Sequence, residues 1–229
     1  MFEPTLKDRI EKRIQKQLKP VLLPIRKGKL KSTDFTIISN NCWGGVTYEY
    51  FNLEKKSPTA GLWMFSDDYL KFISNLKYYL SLEIEMREAK DSRRYDRLVA
   101  YRSEEAPIGV LDDDIEIVML HYKDPKVAKD KWERRRKRVN YDNLIIKFSY
   151  MNDCTQEMLR TFDEMQFDGF SPKKIMFINH PDPTLKCGVY MPGFENDEQI
   201  TNDTYFFNKY FDLPKFINDG IIVQKHNGQ

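Results

Sequence analysis

The feature that most constrains the fold of this chain is a short apolar strand that runs directly into small polar residues, a thiol and two glycines. Phe35, Ile37 and Ile38 give residues 35–39 the pattern of a buried strand, and Asn-Asn-Cys-Trp-Gly-Gly follows at 40–45. Adjacent glycines permit left-handed backbone and let a helix or a ligand approach the strand closely. A strand that ends in this way is typical of an α/β sheet with a functional site at its edge.

Apolar runs and amphipathic helical patterns alternate along the rest of the chain. Longer strands are predicted at 35–39, 61–65, 115–120, 144–148 and 174–178, and shorter ones at 99–102, 107–111, 187–191 and 221–223. Helices are predicted at 45–52, from Ser66 to about Leu80, and at 125–139, 155–165 and 204–211. This alternation favours an α/β fold with a mainly parallel sheet and helices on both faces. We expect a single α/β domain over residues 34–229.

Residues 1–33 form a basic segment that differs from the remainder. Apolar residues recur at every fourth position from Leu6 to Leu18, which predicts an amphipathic N-terminal helix over 5–18. Ten Lys or Arg against three acids give this segment a charge of +7, and the whole chain carries only +2, so the rest carries −5. Either a helix docked on the α/β domain or a peripheral contact with an anionic membrane explains the pattern.

The composition excludes several classes of protein. A chain of 229 residues with 41% hydrophobic and 31% charged residues is typical of a globular domain. Three cysteines (Cys42, Cys154, Cys187) without paired spacing indicate neither a disulfide framework nor a zinc knuckle. The sequence lacks a signal-peptide pattern and an apolar run of membrane-spanning length, so we expect a cytoplasmic protein. A nearly neutral charge without a binding motif argues against nucleic acid as a partner.

Polar side chains follow the predicted strands at the points where these strands end. If the strands are parallel, their carboxyl ends meet at one edge of the sheet, where ligands bind in open α/β folds. The residues that we therefore expect to bind substrate are Asn40, Asn41, Trp43, Gly44, Gly45, Asp67, Asp68, Tyr122 and His180.

Cys42 is the candidate nucleophile. It stands at the expected start of a helix, where the helix dipole lowers the pKa of a thiol. With His121 or His180 as the base and Asp153 as the group that orients it, Cys42 has the partners that thiol catalysis needs. The alternatives are an inert core thiol and a histidine whose hydrogen bonds are satisfied in the core.

Two further motifs point to a phosphorylated substrate. The run Asp112-Asp113-Asp114 is similar to the Asp-x-Asp pattern of many glycosyltransferases, so Asp112 and Asp114 are candidate ligands for Mg²⁺ or Mn²⁺. The same run also suits a simple turn. In the basic helix that follows, Trp132, Arg135 and Arg136 are candidate phosphate contacts, since Arg suits phosphate geometry. The alternative is a solvated helix face.

Four stretches resemble an uncharacterised bacterial family whose members are often labelled exopolysaccharide or capsule biosynthesis proteins. They are residues 35–45, 57–61, 65–72 and 121–140, and the resemblance extends over roughly residues 5–225. The Asn-Asn-Cys-Trp-Gly-Gly string is its most specific part. The resemblance implies an α/β fold and a role near cell-surface polysaccharide synthesis, without a mechanism to carry over.

These observations lead to two functional hypotheses. The first is a transferase at the cytoplasmic face of the membrane that moves a glycosyl or acyl group from a sugar nucleotide or acyl donor to a saccharide acceptor. The second is a non-catalytic binding or scaffold protein of the polysaccharide assembly machinery. Donor-dependent thermal stabilisation that His121→Ala abolishes separates the two.

Overall fold

The computed structural model describes residues 6–201 and 203–225, and these have a mixed α/β architecture. In chain order the strands are β1 (Thr36–Ser39), β2 (Glu85–Arg87), β3 (Ile108–Leu111), β4 (Ile115–Val118), β5 (Leu144–Ser149), β6 (Lys173–Ile178) and β7 (Gly188–Tyr190). Strands β1, β5, β6 and β7 form a parallel sheet in that spatial order, and β2, β3 and β4 form a separate antiparallel sheet.

The helices connect the strands. They are α1 (Leu6–Gln17), α2 (Lys19–Gly28), α3 (Trp43–Phe51), α4 (Ser66–Ser74), α5 (Leu76–Ser81), α6 (Tyr95–Ala100), α7 (Pro125–Arg136), α8 (Gln156–Glu164) and α9 (Leu213–Asp219). Helix α7 begins as the Asp124-Pro125 pair predicts, because the Asp124 side chain accepts a hydrogen bond from the Lys126 amide. None of the described helices is long and apolar enough to cross a membrane.

Alternating side chains of the parallel sheet enter two different hydrophobic clusters. Ile38, Ile146 and Phe148 pack with residues of α4 and α8. Ile37 and Ile145 pack with residues of α3 and α9. Because successive side chains of a strand point to opposite faces, this division shows that helices cover both faces of the sheet.

The antiparallel sheet departs from the predicted mainly parallel arrangement. Asp112 and Asp113 adopt left-handed backbone, with φ of 55° and 52°, and this turns the chain directly from β3 back into β4. Residues 61–65 form no strand, and only Trp63 pairs with Val118 as an isolated bridge. Strands β3 and β4 are antiparallel because only three residues connect them, whereas a parallel pair needs a crossover of a dozen or more residues.

Three shorter predictions are also corrected. Residues 99–102 lie at the end of α6 and beyond it, and residues 221–223 form no strand. Residues 204–210 form turns and bends, and Phe211 pairs with Gln224 as an isolated bridge. The aromatic residues at 206–211 are buried without being helical, and the helix of this region is α9. Closely spaced aromatic residues that are buried give the same apolar sequence pattern whether they lie in turns or in a helix.

The basic N-terminal segment leaves much of its apolar surface uncovered. Leu6, Ile10, Ile14 and Leu18 are all exposed, and Leu6 retains 75% of its accessible surface. The second helix is anchored by Arg26, whose guanidinium lies 4.0 Å from the ring centre of Tyr50 on α3. The predicted division of the chain at residue 33 stays a prediction.

Candidate functional site

The turn between β1 and α3 positions Cys42. Ser39 Oγ donates to the Asn41 carbonyl at 2.6 Å, and Asn41 Oδ1 accepts from the Trp43 amide at 3.1 Å. A Cβ on Gly44 would lie 3.1 Å from Cγ2 of Ile37, so glycine lets α3 begin against the strand. Cys42 is the N-cap residue of α3 and is half-buried at the carboxyl end of β1.

The structure brings His121 to this thiol. Cys42 Sγ lies 3.2 Å from His121 Nε2, which is within hydrogen-bond distance for sulfur. His121 follows β4, and its amide donates to the Gly61 carbonyl at 3.2 Å. Gly61 has a φ of +88°, and a Cβ there would lie 3.3 Å from Tyr122 Oη. Gly61 thus permits the tight loop that holds His121 beside Cys42.

Burial overrides the expected activation of the thiol by the helix. It raises the pKa of Cys42 to about 11, and the negative charge of Asp203 adds to this effect while Lys147 opposes it. The prediction of a lowered pKa for Cys42 is therefore wrong. The thiol is neutral near pH 7, so nucleophilic attack requires a base such as His121 to take the proton as the new bond forms.

A cleft of about 400 Å³, the basic cleft, opens beside this pair. Its walls include Cys42, Gly45, Glu49, Lys55, Gly61, His121, Tyr122, Lys131 and Arg135. Lys55 pairs with Glu49 at 2.5 Å, and Lys131 Nζ lies 5.0 Å from the centre of the Tyr122 ring. The cleft has three cations and one carboxylate, which favours an anionic ligand.

Arg135 contributes the most informative charge in the basic cleft. It is only 8% exposed, and its Nη1 donates to the Ala60 carbonyl and to Tyr122 Oη, both at 2.8 Å. Within the described part of the chain, Arg135 has no carboxylate partner, and its Nε and Nη2 make no hydrogen bond. A buried cation without a counter-charge is costly, so a bound anion would stabilise it. The N-terminus of α3 in the same cleft favours negative charge as well.

A second cleft, of about 390 Å³, also has Cys42 in its wall. Its lining includes Asn41, Trp63, Tyr101, Arg102, Asn152, Gln199, Thr201 and Asp203. Beneath it lies a closed polar network in which the fully buried Lys147 Nζ contacts Asp203 Oδ2 at 2.5 Å and Asn41 Oδ1 at 3.0 Å. Ser149 Oγ completes the network with contacts to Lys147 and Asp203.

Asp153 and His180 are not placed as the orienting group and alternative base. Asp153 pairs with Arg97 and accepts a hydrogen bond from Tyr101 Oη at 2.8 Å. His180 is exposed after β6, which lies two strands away from β1 in the parallel sheet. His121 is the histidine that the structure pairs with Cys42.

Several of the expected substrate contacts have structural partners instead. Asn40 is buried and donates to the Ser149 carbonyl at 3.3 Å, which ties β1 to β5. Asp67 and Asp68 form ion pairs with Arg94 and Arg93. Asn40 follows β1 as predicted, whereas Asp67 and Asp68 lie in the first turn of α4 and follow no strand. All three join neighbouring elements and do not line the basic cleft.

Trp43, Trp132 and Arg136 line neither cleft. Trp43 is fully buried and donates to the Phe207 carbonyl at 3.0 Å. Trp132 is packed in the core, and its indole nitrogen has no partner among the described residues. Arg136 pairs with Glu133 and donates to the Leu80 carbonyl at 2.7 Å. Of the three predicted phosphate contacts, Arg135 alone lines the basic cleft, because it is on the side of α7 facing Ala60.

The structure does not bring the aspartate run to the expected edge. Asp112 and Asp114 stand at the hairpin turn, at the opposite end of β4 from His121. Tyr78 Oη donates to Asp112 at 2.6 Å, and Lys71 and Tyr79 bind Asp114. Among the residues described, no three His, Cys, Asp or Glu side chains group in a way that could hold a metal ion.

Several residues that line the two clefts or lie beneath them were not among the predicted site residues. Lys147 could have been predicted from the sequence, because a lysine within the apolar run Leu-Ile-Ile-Lys-Phe of a buried strand requires a buried polar partner. Gly61 lay within a stretch that carried the family resemblance. Lys55, Lys131 and Asp203 are ordinary charged residues in the sequence, and only the fold brings them to Cys42.

The fold and the site define a mixed α/β protein with a thiol–imidazole pair between two clefts. The chain belongs to the family described as "Domain of unknown function (DUF1919)", whose model matches residues 13–219. An uncharacterized protein of Haemophilus influenzae is 28% identical over 189 residues, which cover 80% of this chain and 82% of that relative.

Proposed function

We propose that this protein is an acyltransferase that passes an acyl group from a phosphate-bearing donor to a sugar during cell-surface polysaccharide synthesis. The observation that carries the proposal is the 3.2 Å contact between Cys42 Sγ and His121 Nε2 in the wall of the basic cleft. A coenzyme A thioester has a carbonyl that the Cys42 thiol can attack and phosphates that Arg135 can bind. Glycosyl transfer from a sugar nucleotide also needs the phosphate contact, but it gives no role to the thiol. The polysaccharide setting rests on the family resemblance.

The proposed chemistry has two steps that use the same pair. Cys42 Sγ attacks the thioester carbonyl while His121 takes the thiol proton. The bond from the carbonyl to the donor sulfur then breaks, and His121 returns the proton to the leaving thiol. In the second step a sugar hydroxyl attacks the acyl-Cys42 carbonyl and gives its proton to His121. Cys42 leaves and is protonated again, so an ester forms and the enzyme is restored.

Mass spectrometry of the protein after incubation with acetyl-coenzyme A tests this proposal. We expect one acetyl group, located on the peptide that contains Cys42, with Cys154 and Cys187 unmodified. Cys42→Ala removes the nucleophile and His121→Ala removes the base, so both variants should block acetylation of this peptide. Exposed Arg134→Gln on α7 serves as the matched control and should be acetylated like the wild type. An unmodified Cys42 at saturating donor would favour the non-catalytic scaffold instead.

We also propose that α1 and α2 hold the protein reversibly at an anionic membrane surface. Leu6, Ile10 and Ile14 are exposed on α1, and Val21 and Ile25 are exposed on α2. An apolar stripe with flanking cations suits a lipid interface, where each basic residue contributes roughly 1 kcal/mol.

Vesicle sedimentation tests the membrane proposal. The wild type should bind vesicles with anionic lipid, and binding should weaken as salt rises. Replacing Ile10 and Ile14 by Ser should reduce binding, whereas exposed Val127→Ser on α7 should leave it unchanged. Equal binding to neutral vesicles, or unchanged binding by the Ile10 and Ile14 variant, would contradict the proposal.

A further inference from the structure

We propose that the second cleft binds the saccharide acceptor, so that donor and acceptor reach Cys42 from different clefts. The inference rests on the proposed function and assigns its second substrate. Cys42 is in the wall of both clefts, and each has a volume near 400 Å³ (about 400 and about 390 Å³). That volume is within the range of clefts that hold small ligands.

The second cleft presents aromatic surface. The rings of Trp63 and Tyr101 meet edge to face with centroids 5.8 Å apart, and both residues line the cleft. Trp63 is 7% exposed, and an edge-to-face contact with Phe65 holds it on a second side. A fixed aromatic group combines apolar area with a polar tip, and such groups suit ligands such as sugars that have both C–H and hydroxyl surfaces.

The same cleft has hydrogen-bonding capacity that the protein does not use. Thr201 Oγ1 is buried and has no partner among the described residues. Gln199 accepts a hydrogen bond from the Asn152 amide at 3.0 Å, while its own side-chain nitrogen donates to no described group. Because buried polar groups in folded proteins are nearly always paired, the unpaired Thr201 hydroxyl indicates a polar ligand, and the partly exposed Gln199 amide adds a donor to the same cleft.

The charges of the second cleft favour hydroxyl groups over phosphate. Its buried carboxylate, Asp203, is balanced by Lys147, and Arg102 is an exposed cation at the rim. In contrast, the basic cleft contains the buried Arg135, which has no carboxylate partner in the described part of the chain. A ligand with many hydroxyl groups can form hydrogen bonds with Gln199 and Thr201. It brings no charge next to the Lys147–Asp203 pair, which is already balanced.

Protection of Cys42 from iodoacetamide provides the test. Peptide mass spectrometry would follow labelling at pH 9 with and without two probes, neutral maltotriose and acidic trigalacturonic acid. We expect at least one probe to slow the labelling of Cys42 several-fold and to leave that of Cys154 unchanged. Thr201→Val and Gln199→Ala should remove this protection, since they delete the unused polar groups. Arg135→Gln should retain it, because Arg135 lines the basic cleft only.

Two results would overturn the inference. One is that neither probe slows the labelling of Cys42, and the other is that the Thr201 and Gln199 variants are protected like the wild type. Formation of acetyl-Cys42 requires no saccharide, so its failure is separate from these results. Acetylation without saccharide protection would reject the acceptor site alone, whereas protection without acetylation would reject the acyltransferase alone.

Discussion

Two buried cations near Cys42 differ in how their charges are balanced. Lys147 is fully buried and contacts the Asp203 carboxylate at 2.5 Å, with Asn41 and Ser149 completing its hydrogen bonds. Arg135 is 8% exposed and, among the residues that the structure describes, donates only to a carbonyl and a phenol oxygen. The first charge is neutralised within the protein, and the second faces a cleft with unused donors.

From this difference we infer that Lys147 is a structural cation, and we propose that Arg135 binds a ligand. A buried ion pair is destabilised strongly when one partner is removed, because the other charge stays uncompensated. A buried cation without a carboxylate already bears part of that cost, and a ligand that supplies the anion removes it. Residues around Lys147 should therefore affect folding, and Arg135 should affect binding.

The largest expected effect comes from the closed network. Asp203→Ala should lower the free energy of unfolding by about 3–5 kcal/mol, because Lys147 then has no counter-charge. Burial already lowers the pKa of Lys147, so the variant should release the lysine proton more readily. Urea denaturation measures the loss, and a double change of Lys147→Met with Asp203→Leu should recover much of it. A loss below about 1 kcal/mol would contradict the comparison.

The titration of Cys42 gives a smaller effect. Since burial raises its pKa to about 11, the alkylation rate should rise about tenfold per pH unit from pH 8 to 10. In urea the rate should level off near the ordinary thiol pKa of about 8.5. The folded state disfavours the Cys42 thiolate. The protonated thiol therefore stabilises folding fully below the unfolded-state pKa of about 8.5, and this stabilisation is lost as pH rises towards 11. A folded-state plateau below pH 8 would contradict the burial argument.

The hairpin aspartates should give the smallest effect. Asp114→Asn should cost less than about 1 kcal/mol, because its ion pair with the half-exposed Lys71 is screened by solvent. Thermal or urea unfolding measures the change, with the Asp203 variant as the contrast. If Asp114→Asn lowered the free energy of unfolding as much as Asp203→Ala does, the exposed Lys71–Asp114 pair would matter as much as the buried Lys147–Asp203 pair, which would contradict the comparison.

The sequence pattern predicts the positions of all strands except β2 well, but it does not predict the antiparallel pairing of β3 with β4. Buried strands such as β5 and β6 have long apolar runs, and their positions agree within a residue or two. The β3–β4 hairpin depends on the left-handed backbone of Asp112 and Asp113. Aspartate tolerates this conformation but does not require it, so the sequence alone does not fix the turn. Strand β2 has only three residues, all at least partly exposed, so its apolar signal is weak.

The candidate site was predictable at its centre and unpredictable at its periphery. Cys42 and His121 follow buried strands, and their contact agrees with the prediction that a histidine lies within reach of Cys42. Their roles as nucleophile and base stay predictions. Trp132, Arg135 and Arg136 share one helix, and only the packing of α7 decides that Arg135 faces the cleft while Trp132 enters the core.

Binding of pyrophosphate, measured by titration calorimetry on the wild type, Arg135→Gln and Arg134→Gln, tests the central claim most directly. A hydrogen bond between charged groups contributes about 1.5–3 kcal/mol, so Arg135→Gln should weaken binding about ten- to a hundredfold. Arg134 is exposed on the same helix, and its variant should bind like the wild type. Circular dichroism would confirm that all three proteins are folded. Equal affinity of the Arg135 variant and the wild type would contradict the assignment of the basic cleft as an anion site.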